Sequence, residues 1–264
     1  MERIASRQNP MVRRFRELAR ATDSSGAALL DGAHLLQEAL RSDVPIDIVA
    51  IADRGTSPEG ERLAEEAQRA GARVLRVADQ VLAAMSPVRQ PSGIVSIARC
   101  PSATLAQALD RQPALVPILT GVQDAGNVGA IVRTAEACGA TGVITTDGTA
   151  DPFGWKALRG AMGSTFRMPI AVHQPLNAIL GELRSRGIAV IATIPRGGAS
   201  LDAADLRGPA ALILGGEGAG LPPDLAASAD TLLTIPMRAP VESLNVSIAA
   251  ALILFEASRQ RGRH

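Results

Sequence analysis

Residues 120–144 read TGVQDAGNVGAIVRTAEACGATGVI, and this stretch decides the class of fold. An apolar strand ends in a loop that contains Gly126 and Gly129, a helix follows, and a further glycine leads into a second apolar strand. Alternation of strand and helix is typical of an α/β fold with a parallel sheet. Asn127 is predicted to cap the helix. Arg133 falls opposite the apolar face of that helix, among small residues.

The ligand of this loop is not evident from the glycines alone. Their spacing matches neither G-x-G-x-x-G nor G-x-x-x-x-G-K-[ST], so the usual phosphate-binding loops are weakly supported. The small residues around Arg133 leave room for a ligand to approach its charge. The plainer interpretation is an exposed arginine in an ion pair with Glu136, three residues further along the helix.

The composition favours a folded protein with two domains and argues against a membrane-spanning, secreted or metal-binding protein. The chain has 264 residues, 47% of them hydrophobic, with a net charge of +1. No apolar run approaches the ~20 residues of a membrane span, and the N-terminus lacks the apolar region of a secretory signal, so a cytoplasmic location without membrane association is expected. Cys100, Cys138 and the three histidines are scattered, and we expect neither a metal site nor a disulfide framework.

The pattern along the chain predicts a small α/β domain at residues 1–98 with three or four strands, a linker at 99–113 and a larger domain at 114–264. The larger domain has longer apolar strands that alternate with helices, which predicts a parallel sheet covered on both faces. Within the small domain, the first twenty residues hold six arginines and two glutamates. This cluster suits a polyanion such as RNA, although a solvated helix face gives the same pattern.

Two further loops of the larger domain could bind a ligand. Residues 211–225, ALILGGEGAGLPPDL, carry a buried strand into four glycines, and Glu217 among them disfavours a phosphate through like-charge repulsion. Residues 234–260 place Ser243 and Asn245 at the start of a helix, where either can cap it. The helix at 245–257 is apolar almost all round, which predicts burial on all sides, deep in the fold or at a subunit interface.

Taken together, the three loops resemble, in order and spacing, the signature motifs of the SpoU (TrmH) family of RNA ribose 2′-O-methyltransferases. The first motif corresponds to Asn127, Gly129 and Arg133, the second to residues 215–218, and the third to residues 235–237 and 243–247. The stretches SRQNPMVRRFRELAR, LLDGAHLLQEAL and PSGIVSIA are similar to the small substrate-binding domain of that family, which has an L30e-like fold.

The resemblance implies an α/β protein with an L30e-like domain, a parallel-sheet SPOUT domain, a deep C-terminal trefoil knot and a homodimer through the last helix. It implies S-adenosylmethionine as the cofactor, bound by Thr193, Gly215, Gly216, Ile235, Met237 and Leu244. The implied catalytic residues are Arg133, Asn127, Glu217, Ser243 and Asn245. The residues expected to bind RNA are Arg7, Arg13, Arg14, Arg16, Lys156 and Arg159.

Several alternatives stay open at this point. Arg133 can act as a base, or it can clamp a phosphate and stabilise the alkoxide, which suits a group with a pKa above ~12 better. Ribosomal RNA is the expected substrate and transfer RNA the alternative. A nucleotide-dependent enzyme of ordinary doubly wound type and a non-catalytic RNA-binding protein of the ribosome are the competing classes. The sequence identifies neither the target nucleotide nor whether the protein has a housekeeping role or confers antibiotic resistance.

Overall fold

The computed structural model describes residues 2–20, 26–100, 102–216, 220–221 and 223–262. The chain forms two compact units: Met1–Pro101 with Phe153–Arg167, and Ser102–Pro152 with Met168–His264. The first half of the chain runs β1 (Glu2–Ile4), α1 (Pro10–Leu18), β2 (Ala27–Asp31), α2 (Ala33–Arg41), β3 (Ile46–Ala52), α3 (Pro58–Arg69), β4 (Arg73–Val77), α4 (Asp79–Met85), β5 (Ile94–Arg99), α5 (Leu105–Ala108), β6 (Leu115–Thr120) and α6 (Ala125–Ala137). The second half runs β7 (Val143–Thr145), α7 (Trp155–Ala161), β8 (Ile170–Ala171), α8 (Leu176–Ser185), β9 (Ala189–Thr193), β10 (Ala199–Ser200), β11 (Ala210–Gly215), α9 (Pro223–Ala227), β12 (Thr231–Thr234) and α10 (Val246–Gln260).

The first unit is built on a sheet of order β1-β4-β3-β5-β2, in which β5 runs antiparallel to both β2 and β3. The three or four strands predicted from the sequence are present, and β1, with three residues, is an additional one. Helix α1 begins where the Asn9 side chain accepts a hydrogen bond from Met11 N and Pro10 takes the first helical position. Its apolar residues, Phe15 among them, are buried, so its arginines lie on the outer side.

The segment Phe153–Arg167 belongs to the first unit although it lies far from it in sequence. Trp155 packs against the core that contains Phe15, and Arg167 forms an ion pair of 2.6 Å with Glu38. The predicted domain boundaries at residues 98 and 114 remain a prediction. They assign this segment to the larger domain, whereas its contacts place it in the first unit. A contact between such distant residues leaves no local periodicity, so the pattern along the chain could not reveal it.

The second unit is a parallel sheet of order β10-β12-β9-β11-β6-β7-β8, as the apolar strands predicted. The expected linker is partly folded into this unit. Helix α5 starts with a capping box at Thr104, and Ala108 and Leu109 are fully buried in the core. Among the residues that the structure describes, no helix is both long enough and apolar enough to cross a membrane.

The last helix, α10, packs against α6 and is buried along one side only. Ile248, Leu252 and Phe255 are 53%, 42% and 57% exposed. Of the two placements predicted for this helix, the one deep in the fold is therefore wrong, because the sheet and α6 cover only part of the helix. The placement at a subunit interface stays a prediction. The three exposed side chains, four and three residues apart, form one continuous apolar stripe.

Candidate active site

The carboxyl ends of β9, β11 and β12 surround a cavity of about 530 Å³, a volume typical of small-molecule sites. Strand register places these ends at one edge of the sheet, where open α/β folds bind ligands. All six residues predicted to bind the cofactor line this cavity: Thr193, Gly215, Gly216, Ile235, Met237 and Leu244. Their assignment to a cofactor stays a prediction, but the structure brings them together.

One wall of the cavity is bare backbone because side chains are excluded there. A Cβ added to Gly216 would lie 1.9 Å from the carbonyl oxygen of Gly121, in the loop after β6. Gly216 N also donates a 2.8 Å hydrogen bond to the Thr120 carbonyl oxygen. At Gly215 an added Cβ would lie 3.0 Å from the backbone of Gly220. Gly216 therefore keeps the loops after β6 and β11 in direct contact, and Gly215 lets the loop after β11 pack closely against the end of its own strand. Glu217 and Gly218, which follow them, lie outside the described residues.

Thr193 contributes a hydroxyl that is already committed to the sheet. Its Oγ1 donates a 2.9 Å hydrogen bond to the Ile213 carbonyl oxygen, which joins the ends of β9 and β11 beside the cavity. Because the proton is used in this bond, only the lone pairs of the hydroxyl are available to a ligand.

Asn245 links the third motif to the first. It is the N-cap of α10, where its Oδ1 accepts hydrogen bonds from Ser247 N at 2.9 Å and Ile248 N at 3.4 Å. These donors fix which way the amide faces, so Nδ2 is left to donate to Oδ1 of Asn127 at 3.2 Å. Asn245 and Ser243 also line the cavity. The structure therefore joins one residue of the first motif to the cavity wall through the hydrogen bond between Asn245 and Asn127.

The predicted capping role of Asn127 is wrong. Asp124 caps α6, and its Oδ1 accepts a 2.9 Å hydrogen bond from Asn127 N. Aspartate caps as well as asparagine does, and the helix starts two residues before Asn127. Asn127 consequently lies in the first turn, where its side chain can contact Asn245.

Arg133 projects from α6 into solvent. The predicted helix face is confirmed, since Val128, Ile131 and Val132 are fully buried and Arg133 is exposed. Its guanidinium forms no hydrogen bond or ion pair with any residue that the structure describes, and the pairing with Glu136 is not formed. It does not line the cavity, and it is about 9 Å along the helix axis from Asn127 at 1.5 Å per residue. The side chain is therefore available to an anion that approaches the protein.

The cations predicted to bind RNA all belong to the first unit. Arg7 and Arg16 donate through Nε to the carbonyl oxygens of Gln80 and Ala84, at 3.2 and 3.0 Å. Both acceptors lie on α4, four residues apart, so the two guanidinium groups are held on one side of it. The other four, placed on α1 and α7, make weaker contacts: Arg13 and Arg14 lie 4.0 Å from Glu17 and Asp47, Lys156 stacks on Trp155, and Arg159 lies near Asp31.

Sequence reasoning missed part of the cavity. Pro195 and Leu221 line it at the ends of β9 and β11, and Ala249 and Ile253 line it from α10. The last two follow Asn245 by four and eight residues, so helical spacing from the cap could have identified them. Within the described residues no group of three or more histidine, cysteine, aspartate or glutamate side chains is placed to hold a metal ion.

Known proteins are similar to this chain in sequence and in fold. Residues 114–255 match the SpoU rRNA Methylase family, and residues 9–96 match an MRM3-like substrate binding domain. The 23S rRNA (guanosine(2553)-2′-O)-methyltransferase RlmP of Bacillus subtilis is 31% identical, over 97% of this chain and 98% of the relative. The AdoMet-bound rRNA methyltransferase of Sinorhizobium meliloti superposes with a TM-score of 0.88 at 31% identity, over 98% of this chain and 97% of that one.

A structure described as giving insight into 2-OH methylation of C/U34 on tRNA covers less. It matches 57% of this chain and 98% of its own, at 31% identity and a TM-score of 0.52. The match to RlmP and to the Sinorhizobium enzyme, by contrast, extends over both units. The chain belongs to the SpoU family of RNA methyltransferases.

Proposed function

We propose that this protein transfers a methyl group from S-adenosylmethionine to a ribose 2′-hydroxyl of large-subunit ribosomal RNA. The observation that carries the proposal is the cavity at the carboxyl ends of β9, β11 and β12, which all six predicted cofactor residues line. RlmP, a relative whose match spans both units, is named as a 2′-O-methyltransferase of 23S rRNA.

The chemistry of the cavity wall fits this cofactor. The described lining residues are apolar side chains, glycines, one threonine, one serine and one asparagine, without any charged group. The phosphates of a dinucleotide or nucleoside triphosphate are commonly bound by a lysine or arginine inside the site. S-adenosylmethionine has no phosphate, and its adenosine can pack on apolar groups and bond to bare backbone. The wall therefore supports this cofactor over a phosphate-bearing one.

When bound, S-adenosylmethionine supplies an electrophilic methyl group on a positively charged sulfur. The chain's own residues have to align a ribose hydroxyl with that methyl group, and alignment alone contributes a large share of such a rate enhancement. Ser243 and the Asn127–Asn245 pair stand at the cavity wall, where they can bond to a ribose. Arg133 clamps a phosphate of the same nucleotide, and its charge stabilises the oxyanion as the hydroxyl proton leaves to solvent.

Ribosomal RNA is favoured over transfer RNA as the substrate because the rRNA methyltransferase RlmP matches a larger share of this chain than the tRNA-related structure does. The tRNA-related structure matches 57% of the chain, whereas RlmP matches 97%. The first unit carries the arginines on and beside α1, which face outward. A non-catalytic RNA-binding protein would have no need for the cavity or for the Asn127–Asn245 hydrogen bond.

We also propose that the active form is a homodimer in which a second copy covers the exposed stripe of α10. The stripe consists of Ile248, Leu252 and Phe255, large apolar side chains that a single chain leaves in water. A Phe255→Glu substitution is expected to shift the sedimentation coefficient from a dimer to a monomer. The trefoil knot implied by the family stays part of this proposal.

Two measurements test the proposed activity. Isothermal titration should show one S-adenosylmethionine site per chain, and a labelled methyl group should pass to a 23S rRNA transcript. A methyl on the 2′-oxygen blocks alkaline cleavage of the adjacent phosphodiester, so the label should persist in an alkali-stable dinucleotide. Label on a base, or cofactor binding without transfer to any ribosomal or transfer RNA, would refute the proposal.

A further inference from the structure

Two arginines that the motifs do not explain stand beside the cavity. Arg196 directly follows Pro195, and Arg238 directly follows Met237; Pro195 and Met237 both line the cavity. Both arginines are exposed, and neither guanidinium has a hydrogen bond or ion pair within the described part of the chain. In the same unit, Arg207 and Arg259 each pair with a carboxylate at 2.8 Å.

The loop that carries Arg196 is held against the end of β12 by one hydroxyl. Thr234 Oγ1 donates to the Ile194 carbonyl oxygen at 3.1 Å and accepts from Gly198 N at 2.9 Å. A Cβ on Gly198 would lie 2.6 Å from the Leu232 carbonyl oxygen, so the loop approaches β12 more closely than a side chain permits. Gly197 adopts a φ of +86°, which completes the tight turn. Arg196 therefore projects from a constrained backbone.

The loop that carries Arg238 leaves the same strand end. Arg238 follows Thr234 by four residues, and its carbonyl oxygen accepts a 3.1 Å hydrogen bond from Val241 N, which closes a turn. Pro236 and Pro240 restrict φ on both sides of it. The single residue Thr234 thus ties together the two loops that carry these arginines. A constrained backbone loses less conformational entropy when a ligand binds.

The charge of these loops selects an anion. The loops at residues 194–198 and 235–245 contain these two arginines and one acidic residue, Glu242, which forms no ion pair with either arginine in the described part of the chain. The described cavity wall behind them is uncharged, so neither arginine has a counter-ion among the described residues that line the cavity. Unpaired guanidinium groups that project from a constrained backbone suit the oxygens of a phosphate. RNA that presents a ribose to the cavity necessarily presents the phosphates on both sides of that ribose as well.

We propose that Arg196 and Arg238 bind the RNA phosphates that flank the methylated ribose and so position it over the cavity. The inference rests on the proposed function and adds a second RNA-binding surface, on the catalytic unit, to the arginines of the first unit. Neither residue takes part in the chemistry of transfer; both are positioning residues.

The test compares two double variants of equal charge. Arg196→Gln/Arg238→Gln removes the proposed contacts. Arg111→Gln/Arg184→Gln is the control, since both residues are exposed arginines of the same unit that precede β6 and β9, at the amino ends of the strands. The readouts are binding of a labelled 23S rRNA transcript from about 50 to about 200 mM salt and titration with S-adenosylmethionine.

Loss of two phosphate contacts should reduce the slope of log K against log salt by about 1.4 and weaken RNA binding roughly tenfold at ~0.15 M salt. The control should keep the wild-type slope, and the cofactor Kd of both variants should stay within about twofold of wild type. An Arg196→Lys/Arg238→Lys variant should retain the slope, and matching melting temperatures would show that every variant folds.

Three results would overturn the inference. One is a wild-type slope in the Arg196→Gln/Arg238→Gln variant. Another is an equal loss of slope in the control, which would indicate general charge attraction. The third is a weakened cofactor Kd with unchanged RNA binding, which would assign the arginines to the cofactor carboxylate. Failure of the wild-type protein to bind or methylate RNA would instead refute the proposed function itself.

Discussion

Replacing Gly216 by alanine should open the wall between the loops after β6 and β11. The added Cβ would lie 1.9 Å from the Gly121 carbonyl oxygen and 2.5 Å from its carbon. Cβ atoms essentially never come closer than 3.0 Å to such atoms, so the two loops must separate by about 1.1 Å, the difference between 3.0 and 1.9 Å. Both contacting atoms are backbone, and no rotamer change can relieve the clash.

The energetic effect follows from this displacement. Forcing one extra carbon into a packed contact lowers the free energy of unfolding by about 1–3 kcal/mol. At roughly 2–4 °C per kcal/mol, the melting temperature should fall by several degrees. The same movement stretches the 2.8 Å hydrogen bond from Gly216 N to Thr120 and shifts the cavity wall. We expect a cofactor Kd at least about tenfold weaker, which corresponds to ~1.4 kcal/mol.

Gly208→Ala is the matched control. Gly208 precedes β11 at its opposite end, and an added Cβ there would meet no atom within 4 Å. Calorimetric melting and titration with S-adenosylmethionine should therefore distinguish the two variants clearly. If Gly216→Ala melts and binds like Gly208→Ala, the close approach of the two loops is not what shapes the cavity, and the reasoning fails.

The remaining predictions concern single side chains. Arg133→Ala should bind S-adenosylmethionine like wild type but turn over roughly 10²–10³-fold more slowly; near wild-type turnover would remove Arg133 from catalysis. Asn245→Ala should lower the free energy of unfolding by about 1 kcal/mol through loss of the α10 cap. Asn245→Asp should keep the free energy of unfolding and lose only the donor to Asn127. If both variants are destabilised equally in denaturant titrations, capping is not the cause. Burial raises the pKa of Asp31, outweighing the hydrogen bond from Ser86 and the nearby Arg159. Folding then favours its protonated form, so the stability of wild type relative to Asp31→Asn should fall as the pH rises from about 3 to about 6 in denaturant titrations; a constant difference would contradict this.

The features predictable from the sequence are those encoded in short-range periodicity. Apolar runs located the long parallel strands, and the spacing around Val128 and Ile131 gave the buried face of α6. The second and third motifs supplied most of the predicted cavity residues because each follows a strand, and parallel strands end at the same edge. Short elements such as β8 and β10, with two residues each, carry too little pattern to be recognised.

Two kinds of feature could not be predicted from the sequence. In one, two residues can fill the same structural role; in the other, the contact joins residues that are far apart in the chain. Asp124 and Asn127 can both cap a helix, and only the folded backbone decides between them. The all-apolar helix at 245–257 suggested complete burial, but hydrophobicity does not reveal how many neighbours surround a helix, and Phe255 is 57% exposed. Arg196 and Arg238 look like ordinary loop residues until Thr234 brings their loops together.

The return of Phe153–Arg167 to the first unit limits how this protein can be divided. A fragment that ends near residue 101 would lack Trp155, which covers part of the core around Phe15, and Arg167, the ion-pair partner of Glu38. The first unit is therefore not a transplantable module, because its coding sequence is interrupted by part of the coding sequence of the second unit. Exchange of substrate specificity between relatives by recombination would have to carry both pieces, and a chimera joined only near residue 101 should yield an unstable first unit.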